Sequence, residues 1–327
     1  MTFGMPRTVM MNRVGKIVSL SKSMERKLRP IVDRVSVVIP VYNARDLIGD
    51  TIQSVLAQTW NNYEIIVVDD GSQDGSGDVV RAFGDQIRYI RQENTGVAGA
   101  RNRGIEASTG KYIALLDHDD LWHPTKLEKQ VAVLAQRPEV GLVITRIMHI
   151  RSDGTPTGDV AGAYNPHDLF SFYQVFVKGY VPTPSSAMIR RSAFDAAGTF
   201  DPDFDSAALD DHELWARIAT VCDIAAVEEP LTYHRSSAAK PPDIALGHRR
   251  VLIAKLLERF GKDPAKRDYL LREQAAYLSD LGKHLLKNGR ADEGRSSLRE
   301  GLRLSLREGR NLKAAGRCVS RLLRSYF

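Results

Sequence analysis

Apolar residues recur along the chain with two different periods, and the switches between them mark out successive elements. Val35-Ser36-Val37-Val38-Ile39-Pro40-Val41 is a β-branched run with the length of one buried parallel strand. Over residues 46–58 the period lengthens, and Leu47, Ile48, Ile52, Val55 and Leu56 fall on one helical face. YEIIVV at 63–68 returns to the strand pattern and closes a βαβ unit. The same reading predicts a helix near 74–83, strands at 87–91 and 112–116, a helix opening among the small residues after Asn94, and a further helix opened by Pro124. Further along, strands are expected at 140–150 and 185–190, a turn at Ser152-Asp153-Gly154, and loops over 155–184 around an amphipathic piece at 169–177. Arg191 enters a short helix, Asp210 starts the next, and two short strands at 224–227 and 231–234 close the sheet. From about Ala245 the pattern is wholly helical, with stretches at 249–259, 267–287, 291–307 and 311–324 broken by Gly-Lys-Asp-Pro, Asn-Gly and Glu-Gly-Arg.

Alternation of strand and helix predicts an α/β fold with a mixed, mostly parallel sheet flanked by helices and an all-helical C-terminal appendage. Three segments follow: a basic, flexible leader (1–34), an α/β domain (35–244, split into 35–147 and 148–244), and a basic helical region (245–327). Within the last, Gly282, Leu285, Gly294 and Leu298 have the spacing of a single tetratricopeptide-like helix pair, and one such unit makes no solenoid.

Charge sharpens this division. The net charge of +6 conceals 8 basic and 2 acidic residues over 1–34, 18 and 29 over 35–248, and 20 and 9 over 249–327. An acidic centre suits a site that handles cations, and basic flanks suit an anionic surface. Anionic lipid, nucleic acid and an acidic partner all suit such flanks; we expect no nucleic acid, and an anionic membrane surface is a candidate partner of the basic C-terminal helices. The leader, 13–29 in particular, would be disordered or a short surface helix, and Leu302, Leu306, Val319, Leu322 and Leu323 with their flanking arginines would dock on lipid. The plainer reading of these helices is an appendage packed on the α/β domain with a basic outer face. No run reaches bilayer-crossing length and the N-terminus lacks an apolar signal core. Cys222 and Cys318 lie far apart without metal-ligand spacing, which fits a reducing cytosol, with peripheral contact at the inner face of the cell membrane.

Candidate chemistry gathers at strand ends. Leu116 runs into Asp117-His118-Asp119-Asp120, three carboxylates at the C-terminal edge where α/β sheets bind ligands. Such a cluster needs protons or a divalent cation, and a phosphate-bridging Mn²⁺ or Mg²⁺ suits hard oxygen ligands. The plainer reading has Asp119 and Asp120 capping the next helix. Asp69-Asp70-Gly71-Ser72 ends the second strand, where Asp70 can meet a base N–H or ribose, or serve an Asx turn with Ser72 as a cap. The stretch 93–104 begins a helix with Arg101 and Arg103 near its phosphate-friendly end.

VSVVIPVYN, AQTWNNYEIIVVDDGSQDGS, RQENTGVAGARNRGI and GKYIALLDHDDLWHPTKLEKQ together resemble the nucleotide-binding half of the family 2 glycosyltransferases over 35–143. The resemblance implies a GT-A fold and inverting transfer from a nucleotide-sugar donor, with a divalent metal at the Asp-x-Asp. Carried over by position, Pro40, Tyr42 and Asp70 line the base, and Arg101 lies near the nucleotide. Asp117, His118 and Asp119 occupy the Asp-x-Asp, with Asp119 as the metal contact. His118 departs from the family's usual small residue; ribose contact, tuning of the metal or a passive change all remain open. Downstream, Phe200-Asp201 with Thr199 in place of a glycine, then Asp210-Asp211-His212-Glu213-Leu214-Trp215, resemble the family's acceptor half. On that match Asp211 is the catalytic base and Asp210 orients it or the acceptor, whereas spacing by itself favours simple helix-dipole partners. Trp215, Ile218 and Val221 have core spacing, and Trp215 is also a candidate for the acceptor cleft. His234 in Tyr233-His234-Arg235 is the candidate second metal or diphosphate contact. Arg235 and Lys240 would meet the diphosphate from a loop at 236–243.

The expectation is therefore a metal-dependent hexosyltransferase-type enzyme. It would move a sugar, from UDP in particular, to a glycan or lipid-linked acceptor in cell-surface polysaccharide synthesis. A sugar nucleotidyltransferase would need an early glycine-rich loop with a lysine, which VIPVYN lacks. A non-catalytic nucleotide-sugar or glycan-binding scaffold would have no use for Asp211 beside an intact Asp-x-Asp.

Overall fold

The computed structural model describes residues 33–162, 183–203, 210–235, 242–307 and 312–325. The expectations for the leader, for 169–177 and for Lys240 lie outside these residues. The sheet has the order β3-β2-β1-β4-β8-β6-β9-β5, with β7 pairing β6 at the side. Its strands are β1 (Val35–Val41), β2 (Tyr63–Asp69), β3 (Arg88–Arg91), β4 (Tyr112–Leu115), β5 (Leu121–Trp122), β6 (Val140–Ile150), β7 (Pro156–Ala161), β8 (Met188–Arg190) and β9 (Asp223–Arg235). The first four pair in parallel, as right-handed βαβ connections require. β8 runs antiparallel between β4 and β6, and β9 then runs parallel to β6. The mixed, mostly parallel sheet is thus the one anticipated.

Alternate side chains of β1 serve two cores. Val35, Val37 and Ile39 face α1 (Ile48–Leu56), with Ile48, Ile52 and Val55, while Val38 joins Ala98 and Ile105 of α3 (Gly96–Ala107). Between them lies α2 (Ser76–Arg81), shorter than expected because a 3₁₀ turn at Gly84–Gln86 takes over. α4 (Lys126–Gln136) covers the first core with Leu127, Val131 and Leu134. α5 (Arg191–Ala197) and α6 (Asp210–Ile218) cover the second.

Two local readings need correction, and one strand carries no local signal. The two short strands at the end of the sheet are one 13-residue β9, because bulges at Thr145/Arg146 and Arg146/Ile147 absorb Glu228, Glu229 and Leu231 while Pro230 stays opposite Arg146, so the pairing to β6 continues. Pro156–Ala161 is a strand, not loop, since the Ser152-Asp153-Gly154 turn folds it back on β6. β5 has only two residues and is visible solely through its antiparallel pairing to β9.

The helical region comprises α7 (Pro242–Phe260), α8 (Pro264–Lys287), α9 (Ala291–Arg307) and α10 (Leu312–Arg324). α7 and α8 begin earlier than expected, α8 because Asp263 caps Ala265 and Lys266 ahead of Pro264. The Gly282 and Gly294 backbones touch where α8 crosses α9: a Cβ on Gly282 would lie 2.9 Å from the Gly294 carbonyl. Leu252, Leu256, Tyr269 and Leu270 close over Ala216, so this region packs on α6. Glu213 of α6 pairs with Arg217 at 2.7 Å and also with Arg259 of α7.

α3 reaches β1 through Gly104, where a Cβ would stand 2.3 Å from Val38 Cγ1. Gly104→Ala should therefore lower unfolding free energy, since overpacking costs about 1–3 kcal/mol and the helix-propensity gain recovers only about 1. Denaturant unfolding measures it, and an unchanged or raised midpoint would show that the close approach does not constrain the helix.

Candidate active site

Three parallel strands end side by side. Asp70 N–H donates to the Val41 carbonyl and Leu116 N–H to that of Val38, which sets Tyr42, Asp70 and Asp117 along one edge. Asn43, at φ +48°, ties the first two tips by accepting from Gln73 N–H and donating its own N–H to Ser72 Oγ. Ser72 is thereby used between strands rather than as the cap of α2; its own N–H donates to Asp69.

Asp70 is buried and organises the start of α3. Its Oδ1 accepts from Thr95 N–H at 2.9 Å and from Gln92 Nε2 at 2.8 Å, and its Oδ2 accepts from Gly96 N–H at 2.9 Å. Oδ2 keeps unused acceptor capacity. A cavity of about 340 Å³ opens beside it, lined by Pro40, Tyr42, Asp70, His118 and Val97 among others. Four of the residues expected at a nucleotide site thus share one wall.

The second cluster centres on Arg101, which the structure places differently from a surface phosphate ligand. Its guanidinium is buried, donating to Asp117 Oδ1 at 2.6 Å and to Asp210 Oδ2 at 2.5 Å, with Phe200 against its face at 5.1 Å. Burial opposes its charge, but Asp117, Asp210 and Asp211 outweigh this and hold it firmly protonated. Phe200 is itself fixed by Asn102, whose side chain both donates to and accepts from its backbone. Arg101 therefore joins the β4 tip to the first turn of α6.

Asp211 follows directly, accepting from the backbone N–H of His212 and lying 2.8 Å from its Nδ1. Burial would raise its carboxyl; His212 and then Arg101 prevail and set it below the usual carboxylate range, so it is ionised at neutral pH. Trp215 is wholly enclosed against Phe200, so the expectation of an acceptor-cleft edge gives way to core packing. Val221, expected in the core, is instead exposed.

The acidic stretch after β4 is held from several sides. Thr51 Oγ1 donates to the carbonyls of His118 and Asp120, and Ser185 Oγ accepts from Asp117 N–H. Neither Asp119 nor Asp120 caps α4, whose N-cap is Thr125. Arg235 was a candidate for diphosphate, yet its N–H donates to Asp120, its Nε to the Asp119 carbonyl and its Nη1 to the Arg151 carbonyl. It clamps the loop. Thr51, Ser185 and Asn102 were missed because a hydroxyl or amide aimed at backbone has no sequence signature.

Among the described residues, Asp119 accepts no hydrogen bond at its carboxylate and the buried His234 Nδ1 has no partner. Burial, and then His149, hold His234 below the usual imidazole range, against the opposing pull of Asp119 and Asp117, so it is neutral as a ligand must be. No group of three His, Cys, Asp or Glu side chains among the described residues would hold a cation unaided. A phosphate-bridging cation takes one or two protein carboxylates and completes its shell with phosphate and water, so this donor set fits one.

Asp120 is resolved otherwise. Burial, with Asp117 and Asp119 alongside, pushes its carboxyl well above the usual range, and its Oδ2 is enclosed without a partner among the described residues. The folded state holds this proton more tightly than the unfolded chain does. Stability should then fall as pH rises from about 4 towards the folded pKa, by at most about 1.4 kcal/mol per pH unit. Asp120→Asn removes that slope, so in metal-free buffer its stability relative to wild type should grow between about pH 5 and 8. Parallel curves would mean that Asp120 is ionised in the fold.

The sequence profile described as glycosyl transferase family 2 matches residues 36–198. An uncharacterized glycosyltransferase of Rickettsia prowazekii is 30% identical over 264 residues, covering 78% of this chain and 80% of that one. The putative teichuronic acid biosynthesis glycosyltransferase TuaG of Bacillus subtilis is 42% identical over 126 residues, 37% of this chain and 50% of its own length. The fold is similar to that of residues 1–349 of S. aureus TarS, solved in complex with UDP-GlcNAc, at a TM-score of 0.63 and 15% identity, covering 90% and 89% of the two chains. With the profile, the long Rickettsia match and the GT-A sheet in agreement, the chain belongs to glycosyltransferase family 2.

Proposed function

We propose that this glycosyltransferase moves a sugar, with inversion, from a UDP-sugar to a hydroxyl of a glycan or lipid-linked acceptor during cell-surface polysaccharide synthesis. The observation that carries the reading is the buried Arg101 bridge, which puts Asp211 next to a residue tied to the Asp-x-Asp tip. TuaG's role in teichuronic acid biosynthesis supports the acceptor class, and UDP-GlcNAc bound to TarS supports the donor class.

Pro40, Tyr42, Asp70 and His118 receive the nucleoside in their shared cavity, with the spare acceptor capacity of Asp70 Oδ2 directed to a base N–H. Asp119 and His234 hold Mn²⁺ or Mg²⁺. When bound there, the cation offsets the charge that builds on the departing diphosphate. Asp211 takes the proton of the acceptor hydroxyl as it attacks, and its depressed pKa keeps it ionised and available. Asp210, neutralised by Arg101, orients Asp211 through the backbone of α6. Arg101 is a positioning residue.

A UDP-sugar at a hundred times its Kd should raise stability by about 2.7 kcal/mol in a thermal-shift screen, with Mn²⁺ required for the full effect. Asp211→Asn should lower sugar transfer and donor hydrolysis by about 10²- to 10⁴-fold while leaving donor affinity near wild type. Asp119→Asn should abolish stimulation by Mn²⁺. Equal turnover by Asp211→Asn would remove it as the base, and undiminished stimulation by Mn²⁺ in Asp119→Asn would relocate the metal.

A further inference from the structure

The segment that carries Phe200 is fastened from both sides. Arg217 of α6 donates to the Ala197 carbonyl at 2.5 Å and to that of Thr199 at 2.6 Å, and Asn102 of α3 holds the Phe200 backbone itself. From the helical region, α7 faces the same segment with two cations. Lys255 lies 2.9 Å from Asp203, and Arg259 Nη2 lies 3.4 Å from Asp201 Oδ2. The other amino group of Arg259, Nη1, donates to Glu213 of α6. One guanidinium of the helical region thus joins the residue after Phe200 to the residue two positions beyond Asp211.

The two cations of α7 differ in what they grip. Asp203 is 77% exposed, so its pair with Lys255 is screened by water and contributes little. Glu213 is enclosed, and a carboxylate out of water has to be matched. Arg217 already does this, with three hydrogen bonds from its Nε and Nη2 to the two Glu213 oxygens. Neutralising Glu213 therefore does not require a second cation. What Arg259 adds is a fixed separation between α6 and the segment at Asp201. Leu252, Leu256, Tyr269 and Leu270, packed over Ala216, fix the place from which it reaches. The same two elements meet again at the site, where the Phe200 ring lies against Arg101 and Arg101 grips Asp210. The first turn of α6 is thereby set by a closed circuit from Arg259 through Asp201, Phe200 and Arg101 back to Asp210.

We infer that Arg259 is a positioning residue for sugar transfer, through which the helical region holds α6 and the Phe200 segment at the separation that aims Asp211 at the acceptor hydroxyl. The inference rests on the reading of Asp211 as the base. It makes α7 a working part of the catalytic unit.

Arg259→Ala should lower kcat for sugar transfer on the order of tenfold to a hundredfold, the scale on which a misplacement of about 1 Å acts, while the donor KM stays near wild type. Arg259→Gln, which keeps the aliphatic stem and its packing, carries the same expectation should the alanine variant fail to fold. Lys255→Ala removes the exposed pair on the same helix and should leave kcat unchanged, which separates the loss of Arg259 from a general loosening of α7. A cavity of about 310 Å³ lined by Asp201, Glu213 and Arg259 among others opens at this place, so millimolar methylguanidinium should restore part of the turnover lost in Arg259→Ala. The decisive measurement is made in Asp211→Asn. With no base left to aim, adding Arg259→Ala should cost no further turnover, whereas a loss from general destabilisation would multiply with the first. Multiplied losses, or wild-type kcat in Arg259→Ala and Arg259→Gln, overturn the inference. Full turnover by Asp211→Asn removes the base and this inference together, whereas full turnover by Arg259→Ala beside a crippled Asp211→Asn removes the inference and leaves the base.

Discussion

The buried guanidinium of Arg101 is the interaction on which the site depends. It touches Asp117 just after β4 and Asp210 at the start of α6, residues 93 positions apart. A charge taken from water is tolerable only when its partners are close and its remaining donors are occupied. Two carboxylates within 2.6 Å and the Phe200 ring meet most of that demand, although Nε lacks a partner among the described residues. Both acids share the one buried cation, so the strand tip and the start of α6 hold their relative position.

The same electrostatic problem is solved three ways within four residues. Asp117 is neutralised by Arg101, and burial beside Asp117 and Asp119 pushes the Asp120 carboxyl well above the usual range, towards its uncharged form. Asp119, between them, has a carboxylate that accepts no hydrogen bond among the described residues. Fixing its two neighbours lowers the repulsion around Asp119, and the clamps from Thr51 and Arg235 hold the backbone on either side of it. Preorganisation of this kind holds the Asp119 carboxylate in place without reorganisation.

The helical region is joined to this machinery through α6. Glu213, two residues beyond Asp211, is enclosed and pairs with both Arg217 and Arg259, while Ala216 sits under the α7–α8 contact. α7 thus buttresses the helix that carries Asp210 and Asp211.

The sequence by itself determined the periodic elements and the sheet's parallel half. β-branched runs such as Val35–Val41 and Val140–Ile150 bury both faces whatever surrounds them, so local pattern suffices. It also determined the family, because four motifs occur in order over 35–143, and it brought Pro40, Tyr42, Asp70 and His118 forward as neighbours. Only the tertiary structure decided what Arg101, Trp215 and Arg235 do. A guanidinium that looks like a surface phosphate ligand becomes a buried bridge once α6 arrives from 109 residues away to supply Asp210. β5, too short to have a period, exists through β9, and β9 stays continuous because bulges on either side of Pro230 leave it in register with Arg146 of β6. Side-chain period is a local property that the chain expresses anywhere, whereas a charge's role is set by partners that only folding brings within 3 Å.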